Sequence, residues 1–376
     1  MRLRRFGKTN LDLSVFSLGT MRLASENTAI ATVERAIALG INHLETARGY
    51  GNSETYLGSA LNKLQIPRSQ IHITTKLPPT LDAEQMRGWI NESLDRLGLK
   101  YIDCLAIHGI NTYEHLERLT SSSGCLKAIK EAIAEGKIRH LGFSTHGSLE
   151  LILAAINTDL FEFINLHYYY FQQRNREAIA LAASKDMGIF IISPADKGGR
   201  LYTPPEQLRQ LCRPFTPLEL NYRFLLSDRR ITTLSVGAAI PEELTVPLQL
   251  ADKDYTLTVA EIEVFNRLEE HLEQSLNDEL CRQCDRCLPC PEQINIPEVL
   301  RLRNLAVAYK MTDYGRYRYR MLENAGHWFP GSKGNRCTEC GDCLPRCPEN
   351  LNIPFLVKDT HSRLNGSPRR RLWEEN

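Results

Sequence analysis

The chain has 376 residues, 46 Lys+Arg against 45 Asp+Glu, 42% hydrophobic residues and 11 cysteines; its length argues for two domains and its composition for a soluble globular protein. No run of about 18 apolar residues is present, which argues against a helical membrane span. The charged start "MRLRRFGKTNLDLS" has no apolar stretch behind it, so no secretory signal is expected. A reducing, cytoplasmic setting is therefore expected, where clustered cysteines bind metal more often than they form disulfides.

Short β-branched or apolar runs alternate with helical patterns from the N-terminus onward. The runs at 14–19, 41–46, 71–77, 102–108, 138–144, 163–169, 188–194 and 232–238 predict eight strands. Over 82–98, Met86, Trp89, Ile90, Leu94 and Leu97 share one helical face, and Asp82 is a ready N-cap. Leu126, Ile129 and Ile133 do the same over 124–136. Eight strands alternating with helices over about 250 residues predict an α/β fold, a (β/α)8 TIM barrel. A doubly wound sheet is the alternative. It would usually show a glycine-rich fingerprint after its first strand, and "LGTMRLA" is not G-x-G-x-x-G.

In such a barrel the C-terminal strand ends carry the chemistry. The second strand ends in Glu45 with Tyr50 in the loop behind it, the third ends near Lys76 and the fourth in His108. Taken singly, a strand-end lysine is usually solvated and a lone histidine is usually a satisfied polar residue. Together they suit proton donation to a carbonyl oxygen during hydride transfer. A free phenol titrates near 10 and is a poor acid at neutral pH. The Lys76 ammonium is expected to lower that value, Glu45 to keep Lys76 charged, and His108 to orient the substrate oxygen.

The last quarter holds eight of the cysteines, in "CRQCDRCLPCPEQINIP" at 281–297 and "CTECGDCLPRCPENLNIP" at 337–354. The second run is C-x2-C-x2-C-x3-C-P (Cys337, Cys340, Cys343, Cys347, Pro348). The first is the same pattern one residue short (Cys281, Cys284, Cys287, Cys290, Pro291), so the segment is an internal duplication. Three cysteines at such gaps wrap one face of a cubane, and in two-cluster ferredoxins the fourth, before proline, ligates the other cluster. The spacing therefore predicts one [4Fe–4S] cluster on Cys281, Cys284, Cys287 and Cys347, and a second on Cys337, Cys340, Cys343 and Cys290. Zinc, the rival, needs neither the crossed cysteine nor the proline. The shorter Cys287–Cys290 gap leaves crossed and local ligation by Cys290 both open.

The residues between the runs read as helix, as in "EVLRLRNLAVAYKM". "GRYRYRM" at 315–321 could suggest nucleic acid, but a solvated helix face is the commoner source of such a run. Residues 281–376 hold 16 Lys+Arg against 11 Asp+Glu, and residues 1–280 hold 30 against 34. An oxidised cubane with four thiolates carries about two negative charges, so two clusters nearly cancel the basic surplus. Cys104, Cys125 and Cys212 stand alone and are expected to be buried structural thiols.

"RRFGKTNLDLSVFSLGTMRL" and "GINHLETARGYGNSE" resemble the N-terminal hairpin, the first two strands and the catalytic loop of the aldo/keto reductase family. The resemblance covers roughly residues 1–265. The whole chain is similar to the subgroup that adds a C-terminal ferredoxin-type domain, here a small, mainly α-helical, dicluster [4Fe–4S] module over 266–376. It implies an oxidoreductase whose Asp, Tyr, Lys and His set corresponds to Glu45, Tyr50, Lys76 and His108. It also implies nicotinamide and pyrophosphate contacts at Ser144, Thr145, Asn165, Ser193, Gly199, Ser235, Gly237 and Ala238. Glu45 is one methylene longer than the family's aspartate, and its pair with Lys76 is expected to survive with the lysine shifted. Thr145 replaces a carboxamide-binding asparagine, and Ile192 replaces the stacking aromatic. The basic grip on an adenosine 2′-phosphate is not evident in "VGAAIPEELTVP", so NAD, NADP or no nucleotide stay open. The expected activity is reduction of a small-molecule carbonyl with NAD(P)H, with two clusters for electron transfer and a one-electron redox protein as possible partner. Neither nucleic acid nor membrane is an expected partner. The alternatives are an electron-transfer or partner-binding iron–sulfur protein whose barrel does no hydride chemistry, and a reductase whose clusters are structural staples.

Overall fold

A computed structural model describes residues 1–121, 124–253 and 256–368 of the chain. They group into two compact units, one of Met1–Gly198 with Asn221–Thr256, the other of Gly199–Leu220 with the chain from Leu257 onward. The expected boundary at 265/266 falls inside the helix Val259–Leu276. That helix belongs whole to the second unit, where it packs on the helix Ile296–Ala308.

In the first unit a short antiparallel hairpin, β1 (Leu3–Arg5) and β2 (Asp12–Ser14), precedes eight parallel strands. These are β3 (Phe16–Gly19), β4 (His43–Glu45), β5 (His72–Leu77), β6 (Ile102–His108), β7 (Ile138–Ser144), β8 (Phe163–Leu166), β9 (Gly188–Ile191) and β10 (Thr233–Val236). Each pairs with the next and β10 closes on β3, which rules out the open doubly wound sheet. Two predicted strands, 163–169 and 188–194, run three residues past the real ends. Beyond Leu166 the chain turns so that Tyr169 bridges Gln172, and beyond Ile191 Ser193 takes φ 53.

The barrel interior is layered. Phe6, Leu13, Cys104, Ala106, Phe163 and Phe190, all fully buried, form the plug beneath it. Each large apolar side chain there contributes about 1.5–3 kcal/mol. Close approach requires glycine at two strand positions: an added Cβ at Gly142 would lie 2.5 Å from the Phe163 ring, and one at Gly188 would lie 2.3 Å from the Phe6 ring. One step higher is a polar layer. His43 Nδ1 meets Ser17 Oγ at 2.7 Å, His43 Nε2 meets Thr74 Oγ1 at 2.7 Å, and Ser17 Oγ meets Thr233 Oγ1 at 2.7 Å. Burial brings the His43 imidazole down to about 3, so it is neutral there. Period-two alternation then puts Gly19, Glu45, Lys76 and Ser235 in the next layer, toward the C-terminal mouth.

The outer helices follow the sequence closely. Asp82 caps Ala83–Leu97, its Oδ1 accepting from the N–H groups of Glu84 (2.9 Å) and Gln85 (3.2 Å). Met86, Ile90, Leu94 and Leu97 are buried on it, whereas Trp89 is half-buried with Arg48 5.5 Å from its ring centroid. The helix Cys125–Ala134 presents a different face from the one expected. Cys125, Ala128, Ile129 and Ala132 are buried, while Leu126 and Ile133 are half-buried. Small side chains let this helix pack on Ala83–Leu97, and the larger ones flank the seam.

The second unit is helical: Glu206–Cys212, Val259–Leu276, Ile296–Ala308, Thr312–Tyr319 and Ile353–Leu364 are its main helices, with Pro217–Ser227 spanning the limit between the units. The duplicated Asn-Ile-Pro folds twice in the same way. Asn295 and Asn352 cap their helices by accepting from Glu298 N–H and Phe355 N–H, each with proline in the first turn. The two copies differ in depth: Glu298 is buried and ion-paired to Arg301 at 2.6 Å, whereas Phe355 is 57% exposed. The "GRYRYRM" segment is not a solvated face. Tyr317, Arg318 and Tyr319 are buried, with Arg318 4.2 Å from the Phe329 ring, so its aromatics belong to the core and are not displayed to a nucleic acid. Arg369–Arg371, which add to the basic surplus, lie outside the described residues.

Candidate active site and cysteine hollows

The structure brings Glu45, Tyr50, Lys76 and His108 together. Lys76 Nζ contacts Glu45 Oε1, donates to Thr46 O at 2.9 Å, and lies 3.1 Å from the Tyr50 hydroxyl. The side chains of the pair are 1% and 4% exposed. The Tyr50 and His108 rings stand edge to face with centroids 5.7 Å apart. Gly19 leaves room at the carboxylate, since a Cβ there would come 3.5 Å from Glu45 Oε2 and 2.5 Å from Ser235 Oγ.

The electrostatics correct one expectation. Burial raises the Tyr50 phenol above its ordinary value, and no lowering by Lys76 results. Burial also takes the Lys76 ammonium well below its usual range, and the charge of Lys197 adds to this. Loss of hydration thus outweighs attraction between the ammonium and a phenolate. Tyr50 stays protonated, the form that donates a proton.

The residues expected at a nucleotide are only partly alike. Asn165 on β8 is fully buried, and neither its Oδ1 nor its Nδ2 has a hydrogen-bond partner among the described residues. Such an amide fits a planar donor–acceptor group such as a carboxamide. Ser144 Oγ accepts from Gly109 N–H at 3.0 Å. Thr145 Oγ1 donates to Ile110 O at 2.7 Å and accepts from Gly147 N–H at 3.0 Å. Both hydroxyls therefore brace backbone. Ser193, Ser235, Gly237 and Ala238 follow or end β9 and β10, and Arg22 donates to Gly237 O at 2.9 Å. Gly199 falls in the second unit, where a Cβ would lie 2.8 Å from both Leu201 and Met311. The sequence reading did not single out His146 and His167, whose Nε2 atoms are 3.2 Å apart. Their signal was spacing, each lying two residues beyond an expected site residue, Ser144 and Asn165.

In the second unit the cysteines sort into two hollows. One is lined by Cys281, Cys284, Cys287 and Cys347, the other by Cys290, Cys337, Cys340 and Cys343. Each combines three cysteines of one run with the last of the other. Burial raises the Cys281 thiol to about 11, with Cys284 and Cys347 adding to it. Cys343 is raised likewise, by burial and by Cys337, Cys290 and Cys340. Ile353 lines both hollows, so one side chain stands between them. Among the described residues no three His, Cys, Asp or Glu side chains converge on a point that would hold a single metal ion. A ring of four thiols around a hollow fits a cubane better than one zinc ion. Cys104, Cys125 and Cys212 are buried and unbridged.

An eight-stranded parallel barrel with a polar group at its strand ends, followed by a helical cysteine-rich unit, defines a TIM-barrel protein joined to a ferredoxin-like module. Residues 16–270 match the model of the aldo/keto reductase family and residues 280–351 that of the 4Fe-4S dicluster domain. The chain belongs to the aldo/keto reductase family and is an oxidoreductase of that family. It is 37% identical over 155 residues to an L-galactose dehydrogenase of Arabidopsis thaliana, covering 38% of this chain and 48% of that protein. It thus spans about half the length of that relative. It is 25% identical over 315 residues to the oxidoreductase YqkF of Bacillus subtilis, covering 73% of this chain and 98% of that one. Among solved structures, the aldo-keto reductase AKR11C1 from Bacillus halodurans in its holo form superposes with a TM-score of 0.63 at 23% identity, over 71% of this chain and 96% of that one. No helix among the described residues is long and apolar enough to cross a membrane.

Proposed function

We propose that the chain reduces a small carbonyl compound with NAD(P)H at the barrel mouth, in a reducing cytoplasmic setting, with two [4Fe–4S] clusters in the second unit for electron transfer. The contact of a protonated Tyr50 with a Lys76–Glu45 pair carries this reading. A bound nicotinamide would supply the hydride, with its carboxamide on Asn165. Tyr50 gives its proton to the substrate oxygen. Lys76, held by Glu45 and Thr46 O, then stabilises the phenolate left behind, and His108 orients the oxygen. The dehydrogenase and oxidoreductase names of the relatives support hydride chemistry, and the holo form of the structural neighbour supports only the barrel.

The two hollows would hold the clusters with crossed ligands, Cys347 completing the site of Cys281, Cys284 and Cys287, and Cys290 that of Cys337, Cys340 and Cys343. Each cluster would move one electron at a time, so a one-electron protein carrier is the partner this module suits. A second reading has a specific observation behind it: the Ser144 and Thr145 hydroxyls brace backbone, leaving Asn165 to grip a nicotinamide without them. Under that reading the barrel does no hydride chemistry. Anaerobic assays with NADPH and NADH across short aldehydes and ketones separate the two. Reduction that falls at least about 100-fold in Tyr50→Phe while nucleotide binding persists supports the reductase; no reduction by the wild-type protein under either nucleotide supports the second reading.

A further inference from the structure

The two cysteine runs differ by one residue, and the fold shows where that difference is absorbed. Before the last cysteine both runs turn alike: Leu288 N–H donates to Asp285 O at 3.0 Å, and Leu344 N–H donates to Gly341 O at 2.9 Å. After it they turn alike again. Gln293 N–H donates to Cys290 O at 2.9 Å with φ 56, and Asn350 N–H donates to Cys347 O at 3.2 Å with φ 52. The difference is therefore confined to 288–290 against 344–347, and the extra residue there is Arg346. One residue spans about 3.5 Å of extended chain. In the longer run Cys347 N–H closes a turn on Leu344 O at 3.2 Å, and Cys347 lines the hollow of Cys281, Cys284 and Cys287. The shorter run must deliver Cys290 to its own hollow with that reach missing.

Arg346 itself makes the connection. Its Nε donates to Asp342 O at 2.8 Å and its Nη2 to Pro289 O at 3.0 Å. Each of these carbonyls immediately precedes a cysteine of the same hollow, Cys343 and Cys290, and Arg346 lines that hollow with them. A guanidinium is a planar fork of fixed geometry, so it sets the distance between two carbonyls as a single ammonium cannot. Beyond Cys290 the chain is tied independently. Thr338 Oγ1 donates to Glu292 Oε1 at 3.3 Å, and Ser332 N–H donates to Gln293 O at 2.8 Å. Loss of the Arg346 side chain would free one side of Cys290 and leave the other anchored.

Resting on the crossed two-cluster reading above, we infer that Arg346 is a positioning residue that holds the Cys290 thiolate on the second cluster and compensates for the residue missing from the first run. The test uses the full chain, loaded anaerobically with iron and sulfide and then treated with ferricyanide. Ferricyanide takes one electron from a [4Fe–4S]²⁺ cluster, and an iron whose thiolate is loosely held leaves as Fe²⁺. The [3Fe–4S]⁺ left behind is read by electron paramagnetic resonance. Arg346→Ala should bind about eight iron atoms. It should then convert roughly tenfold faster than the wild type, the scale of a lost charge-assisted hydrogen bond. Arg346→Lys, which has one compact donor in place of the fork, should fall between the two. Cys290→Ala lacks the thiolate outright and should show the same [3Fe–4S]⁺ line shape before any oxidant is added. Adding Arg346→Ala to it should change neither amplitude nor rate. Conversion of Arg346→Ala at the wild-type rate, full protection in Arg346→Lys, or further acceleration in the double variant would each overturn the inference. Two intact [4Fe–4S] clusters in Cys290→Ala would instead defeat the crossed ligation on which it rests.

Discussion

His43 gives the barrel an acid sensitivity whose size follows from its surroundings. Its ring is fully buried, bonded to Ser17 and Thr74, and burial brings it from 6.5 to about 3, with nearby His72 and Lys76 acting in the same direction and Asp103 against them. The folded protein keeps it neutral, whereas the unfolded chain protonates it below pH 6.5. The unfolded state therefore binds more protons between pH 6.5 and 3, and stability falls as pH drops through that window. The slope is about 1.4 kcal/mol per pH unit, so moving from pH 7 to pH 5 should remove about 2 kcal/mol through this residue. His43→Gln keeps a donor and an acceptor for Thr74 and Ser17 but cannot titrate. Urea unfolding of the full chain, followed anaerobically by far-UV circular dichroism at both pH values, should show the wild type losing about 2 kcal/mol more than His43→Gln. Losses common to both proteins cancel in that comparison. Equal losses would refute a neutral, buried His43.

Three further outcomes are expected. Cys347→Ser should lower the iron content from about eight atoms toward about four and disturb the cluster of Cys281, Cys284 and Cys287, as read by iron analysis and electron paramagnetic resonance; damage confined to the site of its neighbours Cys340 and Cys343 would show local wiring. Lys76→Met leaves Glu45 buried without its partner and should destabilise the barrel by about 3–5 kcal/mol, with the Glu45→Gln/Lys76→Met double variant recovering most of the loss in thermal unfolding. Gly142→Ala pushes a methyl group to 2.5 Å from Phe163, and overpacking of that kind should lower unfolding stability by about 1–3 kcal/mol.

The barrel was legible because its strands are short apolar runs at regular intervals, and hydrophobic periodicity reports burial directly. Strand ends were less so: 163–169 and 188–194 stay apolar past the turns at Tyr169 and Ser193, where backbone geometry rather than composition ends the strand. The helix at 125–134 was read from its largest side chains, but close packing favoured Cys125, Ala128 and Ala132 on the buried face. "GRYRYRM" looked solvated because arginine usually is, yet stacking against Phe329 carries Arg318 into this core. The meeting of Glu45, Tyr50 and Lys76 followed from strand order, whereas the direction of the Tyr50 shift did not. That depends on how far the hydroxyl is enclosed, a property of three dimensions. The two cysteine groups were legible from spacing and duplication except at Cys290, whose ligation the short Cys287–Cys290 gap left open; in the fold it lines the hollow of Cys337, Cys340 and Cys343. His146 and His167 escaped notice because their signal, a position two residues beyond Ser144 and Asn165, shows only once those strand ends are placed side by side.

The proposed function would join a two-electron reductase barrel to a pair of one-electron centres, and one anaerobic experiment tests that union. Carbonyl reduction is followed with NAD(P)H and oxidised clusters, with dithionite-reduced clusters alone, and with both, recording product and cluster absorbance together, with Tyr50→Phe as the control. Slow turnover is expected with NAD(P)H alone and a clear change in product rate when the clusters are reduced, all of it lost in Tyr50→Phe. Identical product rates with oxidised and reduced clusters would contradict it and leave the cysteine-rich unit a structural attachment.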